Sequence, residues 1–308
     1  MSDASGLPAR VNIVMRTRNR PVLLSRALDD VLGQEYLGWV LTVVNDGGDR
    51  ATVDDLVERR AGLRDRVRVI HNESSVGMEA ASNQGVHAVE SDFVAIHDDD
   101  DTWHPLFLSR TSEWLDDNPE SPAVSARTEI VWEEITGRIV REVSRETFLP
   151  DRTQVTFFDL LRFNTCVPIS LLYRRERLVQ VGLFDETLSA TGDWECNLRL
   201  AATGQLGFLR ETLAFWHQRA GQSGDLGNSV IAAREAHRDL DRLVRDRALR
   251  AYVGDHGAGL PLYLTRFLDD RFDEMRERLD RIERANATRF PERVIAAARR
   301  VLRRRANP

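Results

Sequence analysis

Four consecutive aspartates, Asp98 to Asp101, follow directly on the apolar run Phe93-Val94-Ala95-Ile96. Like charges packed at the mouth of a buried strand repel one another at short range. A divalent cation is the usual compensation. Side chains two apart on an extended chain share a side, so Asp98 and Asp100 can converge on one point while Asp99 turns away. Hard oxygen ligands without Cys or paired His favour Mg²⁺ or Mn²⁺ over Zn²⁺. The same run can also cap a helix starting at Trp103-His104-Pro105, and the residues alone leave both readings open. Further along, Asp193 follows Thr191-Gly192 and precedes an amphipathic pattern of Leu198, Leu200 and Ala201. A carboxylate at a helix N-terminus is expected to have a lowered pKa and to stay ionised. Asp46, before Gly47-Gly48, is either a buried acceptor or a turn former.

The elements that must position these groups alternate regularly over the first hundred residues. Strands are expected at 11–15, 40–44, 67–70 and 93–97, and helices from Pro21, over 51–61 and over 78–89. Short continuous apolar strands alternating with helices predict a mostly parallel central sheet covered on both faces, hence an α/β fold. Ligands bind such sheets beyond the carboxyl ends of the strands. Thr17, Asp46, Asn72 and Asp98 all fall there. After a helix over 104–117 the alternation breaks down. Residues 122–145 read as β-rich pieces with a turn at Thr136-Gly137-Arg138, followed by a helix near 156–162, a strand at 169–173, a turn at 182–186, a helix from Asp193 to about Thr203 and a strand over 207–216.

The chain has 308 residues, 42% apolar and 30% charged, enough for one large catalytic domain with an appendage or for two modest domains. A net charge of −6 gives no general attraction to nucleic acid. All 43 basic residues are Arg, a compositional bias that no single site demands. Cys166 and Cys196 lack any CxxC spacing, so neither a disulfide framework nor a zinc site is expected. No stretch reaches ~18 apolar residues and the first ten lack an apolar signal core, which predicts a cytoplasmic protein.

The ordered set of segments resembles the family-2 glycosyltransferases, which have the GT-A fold. The matching pieces are Met15-Arg16-Thr17-Arg18-Asn19-Arg20-Pro21, Val43-Val44-Asn45-Asp46-Gly47-Gly48, Asn72 with Gly77 and Ala81-Ser82-Asn83-Gln84-Gly85, Ile96-His97-Asp98-Asp99-Asp100-Asp101-Thr102-Trp103, Gly182-Leu183-Phe184-Asp185, and Gly192-Asp193-Trp194-Glu195 with Leu198-Arg199-Leu200. The resemblance covers about residues 9–220. It departs from the family at Ser82, where Arg is common, and at Gly192, where a carboxylate often precedes the base.

The resemblance implies an inverting transferase using a UDP- or dTDP-sugar. Thr17 and Arg18 would line the base and ribose pocket with Asn19 and Arg20, and Asp46 would accept from a pyrimidine imide. Asn72, Gly77, Asn83 and Asp99 would complete the donor site; Asp98 would reach the ribose and help hold Mg²⁺ or Mn²⁺ with Asp100, His217 joining as a ligand. Asp193 would be the base, with Asp101 in support and Trp103, Trp194 and Glu195 on the acceptor side. The acceptor would be a glycan, a lipid-linked sugar or a small molecule, as in cell-surface polysaccharide synthesis. Two competitors are a nucleotidyltransferase forming the nucleotide sugar, although residues 16–21 lack the Gly-rich loop it needs, and a catalytically silent nucleotide-sugar-binding protein.

A glycosyltransferase domain is therefore expected over 1–225, and a helical appendage over 226–308. The appendage carries an apolar stripe, Leu264, Leu268, Phe272, Met275, Leu279 and Ile282, suited to packing on the catalytic domain or to homo-oligomer formation. Residues 289–305 hold seven Arg and one Glu. A basic amphipathic helix over 291–305 can lie on the inner face of an anionic membrane.

Overall fold

The apolar runs of the first hundred residues form adjacent parallel strands in the computed structural model of the chain. The structure describes residues 9–137, 139–219 and 234–305, with the side chains of 234–236 and 286–305 left aside. The strands are β1 (Val11–Thr17), β2 (Trp39–Asp46), β3 (Val67–Asn72) and β4 (Phe93–Asp98). Helices α1 (Pro21–Leu32), α2 (Arg50–Glu58) and α3 (Met78–Ala88) connect them. Pro21 opens α1, where its fixed φ is preorganised and its missing N–H costs nothing. Asp49 starts α2 by accepting from the Thr52 N–H at 2.9 Å.

A nine-stranded sheet runs in the order β3-β2-β1-β4-β8-β6-β9-β5, with β7 paired to β6. Here β5 is Thr102–Trp103, β6 Ala123–Thr136, β7 Ile139–Thr147, β8 Leu171–Arg174 and β9 Gly207–Gln218. The first four strands are parallel, as are β6 and β9; β8 inserts antiparallel between the two groups. The remaining helices of this part are α4 (Phe107–Asp117), α5 (Phe157–Arg162), α6 (Arg175–Gln180) and α7 (Gly192–Thr203).

Strand period sorts the core into two layers. From β1, Ile13 and Met15 pack with Leu24 and Leu28 of α1, Val53 of α2 and Leu115 of α4. Val14 points the other way, joining Val86 of α3, Leu160 of α5, Leu178 of α6 and Leu200 of α7. This is a mixed α/β sandwich, a mostly parallel sheet with helices on both faces.

Three local expectations change. The β-rich pieces of 122–145 are one strand of 14 residues and its hairpin partner, turning at Gly137 (φ 62°); Arg138 lies outside the described residues. The helix expected from 104 begins only at Phe107, because Thr102 and Trp103 pair with Phe215 and Ala214. A helix at α6 had no expectation, its six residues being too few to show a period.

The chain divides into two compact units, 1–242 and 243–308. The second consists of the end of α8 (Arg234–His256) and the long α9 (Gly259–Arg305). The expected boundary at 225/226 falls among residues 220–233, outside those described, and so do the side chains of the basic segment 291–305. Among the described residues no helix is long and apolar enough to cross a membrane.

Candidate active site

Parallel pairing sets β1 and β4 in register so that Arg16 stands opposite Asp98, and β2 and β3 so that Asp46 stands opposite Asn72. Four strand ends thus open at one edge of the sheet. The acidic run continues from β4 across that edge, and the base candidate arrives there at the start of α7.

Arginines supply the counter-charge to the run. Arg16 forks onto Asp98 through its Nε at 2.8 Å and a terminal nitrogen. Thr17 donates to Asp99 at 2.7 Å, and Arg20 reaches both Asp99, at 3.2 Å, and Asp100, at 3.4 Å. Fully buried Arg219 pairs with Asp100 and, at 2.8 Å, with Glu133, which also binds Arg26 at 2.7 Å. Burial would push the Glu133 carboxyl up, but hydrogen bonds from His217 and Arg26 prevail and hold it at about 2. Burial dominates at Asp99, pushed up to about 7, and at Asp101, raised well above the ordinary range. The compensation expected for the run is thus supplied in part by arginines and by protonation.

Asp98 and Asp100 remain the run's hard-oxygen donors at the strand edge, with side chains 27% and 11% exposed. Among the described residues no group of three or more His, Cys, Asp or Glu side chains could hold a metal ion. His217 does not join them: its Nε2 is 2.8 Å from the Thr102 hydroxyl and its Nδ1 2.8 Å from Glu133. As two hard carboxylates at the strand edge, Asp98 and Asp100 have the chemistry of Mg²⁺ or Mn²⁺ ligands.

A cavity of about 200 Å³ lies beside the run, lined by Thr17, Asn19, Arg20, Pro21, Leu24, Asp49, Thr52 and Val53. Three of the expected donor residues therefore share one hollow, while Arg18 is exposed outside it. The others serve the scaffold. Asp46 accepts from Asn72 (2.9 Å), Ser75 (2.6 Å) and the backbone N–H groups of Val76 (2.8 Å) and Gly77 (3.2 Å). Against burial, these bonds lower its pKa. Its geometry is that of a turn builder, and the imide-acceptor role finds both oxygens already engaged. Asn72 also donates to Gln84, at 3.0 Å. Gly77 takes φ 99° before α3, a conformation that favours glycine. Asn83 clamps the 182–186 turn through both the carbonyl and the N–H of Phe184.

Asp193 is partly exposed in the first turn of α7, and Asn164 donates to it at 2.6 Å. Burial raises its pKa even though the Trp194 N–H, Asn164 and Arg16 favour the charged form, and Asp98 adds to the rise. The dipole expectation is thus corrected: desolvation outweighs the helix terminus. Thr191, the residue before α7, sits at φ 65°, unusual for a β-branched side chain.

Trp103 and Trp194 are core residues rather than sugar platforms. Trp103 stacks on Phe107 at 4.4 Å and donates to the Ile169 carbonyl, while Trp194 donates to that of Leu160. Glu195 pairs with Arg199 along the helix. Asp101 accepts from the His217 N–H at 2.8 Å, tying the run to β9.

Arg16, Glu79, Glu133, Asn164 and Arg219 carried no sequence-based role. Glu133 turns inward next to a register irregularity at Trp132/Glu133, which plain alternation does not announce. Glu79 reads in sequence as a solvated acid in a first helical turn, yet it is buried against α7. Arg219 sits just past the end of β9, where no pattern marks it.

The pattern described as Glycosyl transferase family 2 matches residues 12–182. An uncharacterized glycosyltransferase of Bacillus subtilis (strain 168), YwdF, is 28% identical over 244 residues, covering 78% of this chain and 85% of that protein. The O-antigen biosynthesis protein RfbC of Myxococcus xanthus is 27% identical over 81% of this chain but only 20% of its own length. Among solved structures, S. aureus TarS 1-349 in complex with UDP-GlcNAc superposes with a TM-score of 0.56 at 17% identity, over 69% of this chain and 60% of that one. The mannosyltransferase PcManGT of Pyrobaculum calidifontis, in complex with GDP-Man and Mn2+, gives a TM-score of 0.51 at 20% identity, over 69% and 58%. This chain thus spans about three-fifths of these two solved structures. The matched segment includes β1 from Asn12 onward, α3 and the whole acidic run, and with it the chain belongs to glycosyl transferase family 2.

Proposed function

We propose that this glycosyltransferase moves a sugar with inversion from a nucleotide-sugar donor to a hydroxyl of a glycan or lipid-linked acceptor in polysaccharide assembly. The observation that carries the reading is Asp98 held by Arg16 at 2.8 Å at the carboxyl end of β4, with Asp193 near enough to act on the charge of the same guanidinium. One end of the site suits a departing diphosphate and the other an attacking hydroxyl. The TarS and PcManGT complexes support a nucleotide-sugar donor, and the UDP-GlcNAc complex makes UDP-sugars, with dTDP-sugars beside them, the first to try.

In the proposed reaction Asp193 takes the proton of the acceptor hydroxyl while its oxygen bonds to the anomeric carbon. The bond from that carbon to the diphosphate breaks on the opposite face, and the nucleoside diphosphate leaves. An α-linked donor then gives a β-linked product. Asp98 and Asp100 would hold Mg²⁺ or Mn²⁺, which when bound neutralises charge on the leaving diphosphate. Thr17 and Arg20 pin Asp99, keeping the run's backbone fixed beside the cavity.

The test is a thermal-shift screen of nucleotide sugars with and without Mn²⁺, followed by the product's anomeric NMR signal. Ligand at a hundredfold its Kd should stabilise the protein by ~2.7 kcal/mol. A screen without any responding nucleotide sugar, or retention of configuration, would overturn the reading. Release of pyrophosphate would favour a nucleotidyltransferase instead.

A further inference from the structure

Helix α3 brings to the site a carboxylate with no part in that reaction. Glu79, in its first turn, is only 6% exposed. Its side chain lies against Gly192, the residue immediately before Asp193, whose backbone favours the charged form of the carboxyl. It also fills the space that a side chain at 192 would need: a Cβ there would lie 2.4 Å from Glu79 Cγ and 2.5 Å from Oε1. The other oxygen, Oε2, is buried and has no hydrogen-bond partner. A second orphaned polar atom, the Thr191 hydroxyl, lies in the same strained turn. Glu79 thus lies against the residue next to the proposed base, and Arg16 and Asp193 both act on its charge.

Buried polar atoms in folded proteins almost always have partners, and a carboxylate oxygen without one is costly. A hydroxyl is the simplest partner, because it donates to one carboxylate while its neighbour on a sugar ring donates to another. We propose that Glu79 is the acceptor-positioning carboxylate: it receives the hydroxyl next to the one that yields its proton to Asp193, so that the acceptor is a sugar or other polyol presenting two neighbouring hydroxyls. No bond to Glu79 forms or breaks. This rests on the glycosyl-transfer reading and narrows its acceptor to a chemical class.

The test pairs acceptor deletion with residue deletion. Methyl hexopyranosides and their monodeoxy counterparts are offered to the full chain, wild type, Glu79→Ala and Glu79→Gln, with the donor found by the thermal-shift screen. For the accepted glycoside, the wild type should lose ~10²-fold or more in kcat/KM when the hydroxyl beside the reacting one is removed. Glu79→Ala should be slower on the parent sugar and reduce that discrimination to within about threefold. Glu79→Gln keeps a carbonyl acceptor and should retain part of the discrimination, which also keeps the test decisive should Glu79→Ala fail to fold. Equal discrimination in wild type and variants overturns the inference. So do wild-type indifference to every neighbouring deoxygenation and donor hydrolysis without transfer to any glycoside. A wild type that neither hydrolyses nor transfers any nucleotide sugar sinks the glycosyl-transfer reading itself, a result distinguishable from the others.

Discussion

At Asp193 two fields compete. The helix terminus and Asn164 favour the carboxylate, while loss of surrounding water favours the acid, and the balance falls on the side of a raised pKa. A carboxylate held up in this way is a stronger base than a solvated one. Asp193→Asn should therefore leave donor binding measurable by thermal shift but lower kcat by ~10²–10⁴. In initial-rate pH profiles the wild type should lose kcat on an acid limb lying above the ordinary Asp value of 3.8. Near-normal turnover in the variant would remove Asp193 as base. Glu79 gives a stability readout. Burial raises its carboxyl from 4.5 to about 7, so between those values the folded state holds a proton that the unfolded state has released. Its contribution to stability thus falls as pH rises from 4.5 through 7, by at most ~3 kcal/mol. Glu79→Gln cannot titrate, so its stability relative to wild type should rise over that window in urea denaturation. A pH-independent difference would refute the burial argument.

Elements show what could be read beforehand and what could not. Strands β1 to β4 were legible because continuous apolar runs between helices have one common solution, a buried parallel sheet. The positions of the acidic run and Asp193 were legible, since charge at the end of a buried strand or at a helix start stands out against its surroundings. Their partners were not. Arg16 pairs with Asp98 through strand register, and Arg219 reaches Asp100 across 119 positions of chain. Asp46 and Asn83 looked like donor ligands but tie one loop to another, a use of polar side chains that leaves no period. The α3–α7 contact is open to test by substitution. Gly192→Ala puts a methyl group into Glu79. It should cost ~1–3 kcal/mol by overpacking, and Glu79→Ala in the same chain should recover part of that loss. Additive losses in the double variant would mean that the two helices do not meet there.

For the whole molecule, every described residue of the candidate site lies within residues 16–219, inside the first compact unit. The second unit contributes none of those described residues. In α9 the side chains of Leu264, Leu268, Phe272, Met275, Leu279 and Ile282 are 44–56% exposed, spaced at intervals of three and four along one helical stripe. Pairs such as Arg266 with Asp270, four apart, keep the remaining surface charged. A seam of that spacing in a charged helix matches the pattern by which two such helices pair. Sedimentation velocity of the full chain should show association that rises with concentration, and a chain ending at residue 256 should sediment as a monomer while still binding the donor. Adding anionic vesicles separates self-association from the lipid contact expected of residues 291–305. If those residues bind lipid, removing everything after residue 288 should abolish salt-sensitive binding yet leave the association of 264–282 intact, because the two depend on different side chains. Vesicle binding unchanged by that truncation would refute the basic-segment reading, and a full chain that stays monomeric at every concentration would refute the seam.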